Sequence, residues 1–140
     1  MKIKIWSADT WFSRCVRERA ENTCEKCGKV YPEGRGVECA HYQGRGAWET
    51  RFLPLNCFSL CMGCHAYLDG HKIQFEEFFI EKRGQVAYDV LVEKSHDIML
   101  GKENRMNKVE IAQYYKEIYS QMLMIRSTGI TGWLDFVGFN

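Results

Sequence analysis

At 140 residues, 46% of them hydrophobic and 26% charged, the chain is long enough for one domain with a packed core, and its composition excludes disorder. A net charge of +1 supplies no global field for nucleic acid, so any such contact has to come from a local patch. No stretch approaches the ~18 apolar residues of a membrane span, and the first residues carry no signal-peptide pattern, so the expectation is a soluble, cytoplasmic protein without a membrane partner.

Residues 7–20 are expected to form a helix, capped by Ser7 or Asp9, with Trp11 or Phe12, Cys15, Val16 and Arg19 at helical spacing. Cys15 reads as a small buried hydrophobe. Residues 24–60 are rich in glycine and poor in periodic pattern, which predicts short strands and loops, one hairpin among them. His41 ends one such strand. A short helix is expected over Cys61–Asp69, stopped by Gly70, followed by helices over Ile73–Arg83 and Val86–Lys94. Asn107 and Glu110 have capping-box spacing and open a helix to about Ile125. Its stripe of Ala112, Tyr115, Ile118, Tyr119, Met122 and Leu123 serves either the core or a partner helix. The aromatic tail from Gly129 packs back, mediates dimerisation or hangs loose.

Seven cysteines make an odd count for a disulfide framework. Cys24-x-x-Cys27 and Cys61-x-x-Cys64 form two knuckles, and four thiolates so arranged suit one tetrahedral structural Zn²⁺. The interval Gly28–Leu60 is 33 residues, longer than the usual gap of about 15–20, so a hairpin-sized segment is looped out between the knuckles. Cys39 and Cys57 lie inside that segment without metal-ligand spacing. In chain order the segment and its flank hold His41, Asn56 and His65. A neutral histidine can take a proton from water near physiological pH, which suits His41 to general-base work.

This order resembles the HNH, or ββα-metal, nuclease motif with a four-cysteine zinc site. It most resembles the phage NinG (Rap) recombination nucleases, and more distantly phage endonuclease VII. The matching residues are Asp9, Phe12 and Arg17; Cys24, Cys27 and Gly28; Ala40, His41 and Tyr42; Arg45 and Gly46; Arg51 and Phe52; Asn56; Cys61, Cys64, His65 and Gly70. The likeness covers about residues 9–91. It implies an α+β fold, a zinc-stapled ββα-metal core flanked by N- and C-terminal helices. Residues 1–95 would be the nuclease domain, and residues 96–140 a helical extension that packs on it or makes a homodimer.

The resemblance further implies a metal-dependent DNA endonuclease of phage-type recombination, acting in the host cytoplasm on branched or flapped DNA. His41 is then the general base and His65 a ligand of a catalytic Mg²⁺ or Mn²⁺. Asn56 orients the strand carrying His41, and the two imidazoles face one phosphate-sized space. Many such nucleases carry Asp or His at the place of Ala40, so Asp69, one helical turn after His65, is the candidate further ligand. Between Lys26 and Arg51, five basic residues face three acidic ones. Arg45 and Arg51, with Arg35, are the candidate phosphate contacts, while Tyr42 and Trp48 either stack on unpaired bases or pack within the loop. The competing class is a non-catalytic zinc-finger-like adaptor that binds DNA or protein.

Overall fold

The computed structural model describes residues 2–140. Six helices and one two-stranded antiparallel sheet make an α+β fold among the described residues. Helix α1 spans Ser7–Arg19. Asp9 supports its start from the third helical position, accepting the Trp6 N–H at 2.8 Å. Its stripe of Ala8, Phe12, Cys15, Val16 and Arg19 is buried. After α1 the chain reverses through Glu21 and Asn22, both at positive φ. The first knuckle then closes with the Gly28 N–H donating to the Cys24 carbonyl at 2.9 Å.

Strands β1 (Val37–His41) and β2 (Cys57–Cys61) pair antiparallel with Val37 opposite Cys61 and His41 opposite Cys57. Every residue of β2 is buried, because both faces of the hairpin are covered. One face carries Cys39 and Cys57 against Phe12 and Val16 of α1. The other carries Ala40, Phe58 and Leu60 against α2 (Met62–Asp69), α3 (Lys72–Arg83) and α4 (Gln85–Ser95), through Leu68, Phe75, Phe79 and Leu91. The first knuckle is clipped to β2: Glu25 and Ser59 exchange backbone and side-chain bonds of 2.8 and 2.7 Å. Arg83 at the end of α3 holds the Glu25 carboxylate at 2.7 Å.

Helix α5 (Ile98–Met106) is not anticipated from sequence periodicity; Asp97 caps it, accepting the Leu100 N–H at 3.0 Å. Helix α6 (Lys108–Ser127) runs slightly beyond the expected end. The expected capping box at its start is not made, since the Asn107 side chain forms no cap bond. The stripe of α6 lies along α1, where Ile111, Tyr115 and Met122 join the same core as Phe12. That decides between core and partner helix: the stripe is used within the chain, with Leu123 at its exposed margin. The tail packs back. Leu134 N–H donates to the Arg19 carbonyl at 2.9 Å, and Phe139 N–H to the Tyr115 hydroxyl at 3.0 Å. Among the described residues no helix is long and apolar enough to cross a membrane.

Candidate functional site

Cys24, Cys27, Cys61 and Cys64 place one sulfur each within 4.8 Å of one another. Cys27 Sγ and Cys61 Sγ are 4.0 Å apart, close to the ~3.8 Å edge of a tetrahedron with ~2.3 Å metal–sulfur bonds. The two knuckles are alike: the Cys27 N–H points at Cys24 Sγ, and the Cys64 N–H at Cys61 Sγ, each at 3.5 Å. The Cys64 N–H holds the Cys61 thiol below its usual range, while burial pushes its neighbour Cys64 upward. Four sulfurs this close cannot all ionise without a cation among them. The donor set therefore fits Zn²⁺, and the second knuckle lies at the head of α2, so the ion would fix where that helix starts.

Past the first knuckle, β1 alternates its side chains between the two covered faces. His41 points to the α1 face. Its Nε2–H donates to the Arg51 carbonyl at 2.9 Å, and its ring lies 6.2 Å from Phe12. Burial, with Arg45 nearby, lowers its pKa to about 4, so the ring is neutral at physiological pH with Nδ1 as the free acceptor. Cys39 and Cys57 bring their sulfurs within 4.8 Å of a His41 ring nitrogen. Sequence spacing hid this trio; the register does not, since Cys57 lies directly opposite His41.

The loop 42–56 that carries Arg51 is clasped by Asn56, which is fully buried. Asn56 Oδ1 accepts the Gln43 N–H at 2.7 Å, and Nδ2 donates to the carbonyls of Gln43 (2.9 Å) and Thr50 (3.1 Å). The Tyr42 N–H closes the clasp on the Asn56 carbonyl at 2.9 Å.

His65, in the first turn of α2, does not meet His41. It lies by the opposite face of β1, where both ring nitrogens face carboxylates: Nδ1 to Glu38 at 2.9 Å and Nε2 to Asp69 at 3.2 Å. Ala40 on that face is fully buried against Phe58, which leaves no room there for a ligand. Glu38, two residues earlier, reaches the helix instead. Sequence reasoning looked only beside His41 and missed it, although period-two alternation puts positions 38 and 40 on one face. Asp69 also lines a cleft of about 200 Å³ with Tyr42, Gln43 and Lys72.

Three side chains expected at nucleic acid are engaged within the protein. Arg51 is 2% exposed and forks onto Asp9 with two 2.8 Å bonds, besides bonding the carbonyls of Lys4 and Arg45. Its charge is neutralised inside the protein. Tyr42 packs among Phe75, Phe79 and Tyr88. Trp48 packs on Phe52 under the Arg51 guanidinium, and both rings remain half-buried. Arg45 keeps a side chain 29% exposed, 3.7 Å from Asp9, and Arg35 is exposed on its turn.

No curated protein and no solved structure matches the chain. A family model, described as the bacteriophage lambda NinG protein, matches residues 4–123. The match takes in α1, both knuckles, the hairpin and most of α6, well past the stretch in which the sequence alone suggested a likeness, and the chain belongs to the NinG family.

Proposed function

We propose that this NinG-family chain is a metal-dependent DNA endonuclease with an HNH-type, ββα-metal core, acting in phage recombination with little sequence specificity. The observation that carries the reading is His41: a neutral imidazole at a strand end, its Nε2–H tied to a backbone carbonyl and its Nδ1 free to take a proton. The clasp of Asn56 holds that carbonyl's loop. The run from β1 through the loop and β2 straight into α2 is the order such a core requires.

In this reading His41 Nδ1 accepts a proton from water as the water oxygen attacks phosphorus. The bond from phosphorus to the 3′-oxygen breaks, and that oxygen leaves as a 3′-hydroxyl after taking a proton from solvent, with phosphate left on the 5′ end. Arg45 would hold a phosphate near the hairpin. Glu38 and His65 would hold a divalent ion, Mg²⁺ or Mn²⁺, with Asp69 turned to the second imidazole nitrogen, the arrangement that commonly orients a ligating histidine. Such an ion supplies charge stabilisation to the phosphoryl and leaving oxygens.

A second reading, a non-catalytic zinc adaptor, is favoured by one observation: His41 and His65 lie by opposite faces of β1. Nicking of supercoiled and branched DNA, with and without Mg²⁺ or Mn²⁺, separates the two. The nuclease reading expects cleavage by the wild type that is lost in a folded, zinc-loaded His41→Ala protein and weakened in Glu38→Gln. A wild type that is inert with every metal and substrate establishes the adaptor, and a His41→Ala variant that cuts normally removes His41 from the chemistry.

A further inference from the structure

The N-terminal arm and the starts of α1 and α6 form a surface that the hairpin does not use. Two neighbouring cavities open there, of about 380 and 410 Å³, and Trp6 and Lys108 line both. Trp11 and Lys116 extend the first; Lys2, Lys4 and Arg105 border the second. No aspartate or glutamate lines either one. Among the described residues, none of these lysines, nor Arg105, pairs with a carboxylate.

The cations lie over indole faces instead. Lys4 Nζ is 3.9 Å and Lys108 Nζ 4.9 Å from the Trp6 ring centre, Arg14 is 4.6 Å and Lys116 5.7 Å from Trp11, and Arg105 is 5.8 Å from Trp48. In a chain of net charge +1 this is a local concentration of positive charge with no carboxylate within 4.0 Å of these lysines or of Arg105. It repels itself until an anion arrives. The indoles make the anion's nature more specific. A free phosphate has no use for a flat aromatic face, and an acidic peptide offers few π-faces to stack. A single-stranded nucleic acid offers both, phosphates for the ammonium heads and unpaired bases for the rings.

We propose that this face, centred on Trp6 and Lys108, binds single-stranded DNA, with Lys4, Lys108 and Lys116 turning to phosphates and a base taking the place of the lysines on the Trp6 indole. The 410 Å³ cavity also includes Gly46, Trp48 and Arg51 of the loop that anchors His41, so a strand on this face continues toward the hairpin. The choice of DNA over RNA rests on the nuclease reading; the surface itself does not.

The test is binding of a fluorescent oligo-dT by the zinc-loaded full chain without added Mg²⁺ or Mn²⁺, as a function of salt, with tryptophan emission recorded in parallel. The proposal expects quenching of the indoles. It expects Lys4→Ala/Lys108→Ala/Lys116→Ala to weaken binding at least tenfold and to flatten the log–log salt slope by about 2, from ~0.7 per phosphate contact. Trp6→Phe, which keeps an aromatic in place, should bind several-fold more weakly and quench less. The lysine changes are on the surface, so a native circular dichroism spectrum is expected throughout. Binding by the triple variant within twofold of wild type overturns the proposal. So does displacement by polyglutamate as effective as by unlabelled oligo-dT. Cleavage is scored separately: a chain that binds as described but never cuts refutes the nuclease reading alone, and one that cuts without using these lysines refutes the surface alone.

Discussion

Arg51 looked like a phosphate ligand in sequence and is a buried structural cation in the fold, and the two roles predict opposite experiments. Arg51 and Asp9 are 2% and 3% exposed and joined by two 2.8 Å bonds, and the guanidinium also bonds two backbone carbonyls. Replacing Arg51 by Met leaves the buried Asp9 carboxylate with only the Trp6 N–H and the longer contact to Arg45 at 3.7 Å, which costs up to about 3–5 kcal/mol. That is much of the ~5–15 kcal/mol by which a domain of this size is stable. The double variant Asp9→Leu/Arg51→Met removes both charges. It should cost clearly less than the sum of the two single changes, because no fully buried charge is left unpaired, although the Trp6 N–H loses its acceptor and the part-exposed Arg45 its carboxylate. Urea unfolding in zinc-saturated buffer measures this as a shift of midpoint at constant slope. If Arg51→Met costs under ~1 kcal/mol while oligonucleotide affinity falls, the ion pair is not structural and Arg51 is a DNA contact after all.

Three further outcomes are expected. Removing zinc with a strong chelator, or changing Cys61 to Ser, should release the hairpin and α2, read as lost near-ultraviolet circular dichroism that returns with Zn²⁺ only in the wild type. Asn56→Ala should cost about 2–4 kcal/mol, since the loop loses three side-chain bonds in a buried site, and Asn56→Asp should cost at least as much in the same urea assay, because it sets a buried carboxylate oxygen against the Gln43 and Thr50 carbonyls. His41 has a folded pKa of about 4 against an ordinary value of 6.5, so between those values the unfolded chain binds more protons than the folded one. Its contribution is therefore complete above pH ~6.5 and lost as pH falls through about 4. At ~1.4 kcal/mol per pKa unit it amounts to at most about 3.5 kcal/mol, lessened by the ring's partial exposure. His41→Gln should flatten the stability–pH curve across that window, and an unchanged curve rejects the burial argument.

What could be read from the chain alone was what short spacing encodes. Two Cys-x-x-Cys units announce a four-sulfur site because each pair is a local turn, and the fold had only to bring two turns together. The stripes of α1 and α6 were legible for the same reason, whereas a loop held by Asn56 was implied only by the family resemblance. The glycine-rich run predicted a hairpin without its register. That register then placed Cys57 opposite His41, put Glu38 rather than position 40 beside His65, and separated the two histidines by face.

Tertiary structure also turned Arg51 inward, through an acid 42 positions away, and folded the aromatic tail onto α1 and α6. Charge type and spacing are local properties. Whether a charge is neutralised inside or presented to a ligand depends on partners distant in sequence, and burial makes an unpaired charge too costly to leave. The fold alone could therefore decide that Arg51 is neutralised within the protein while the unpaired lysines beside Trp6 and Trp11 face outward.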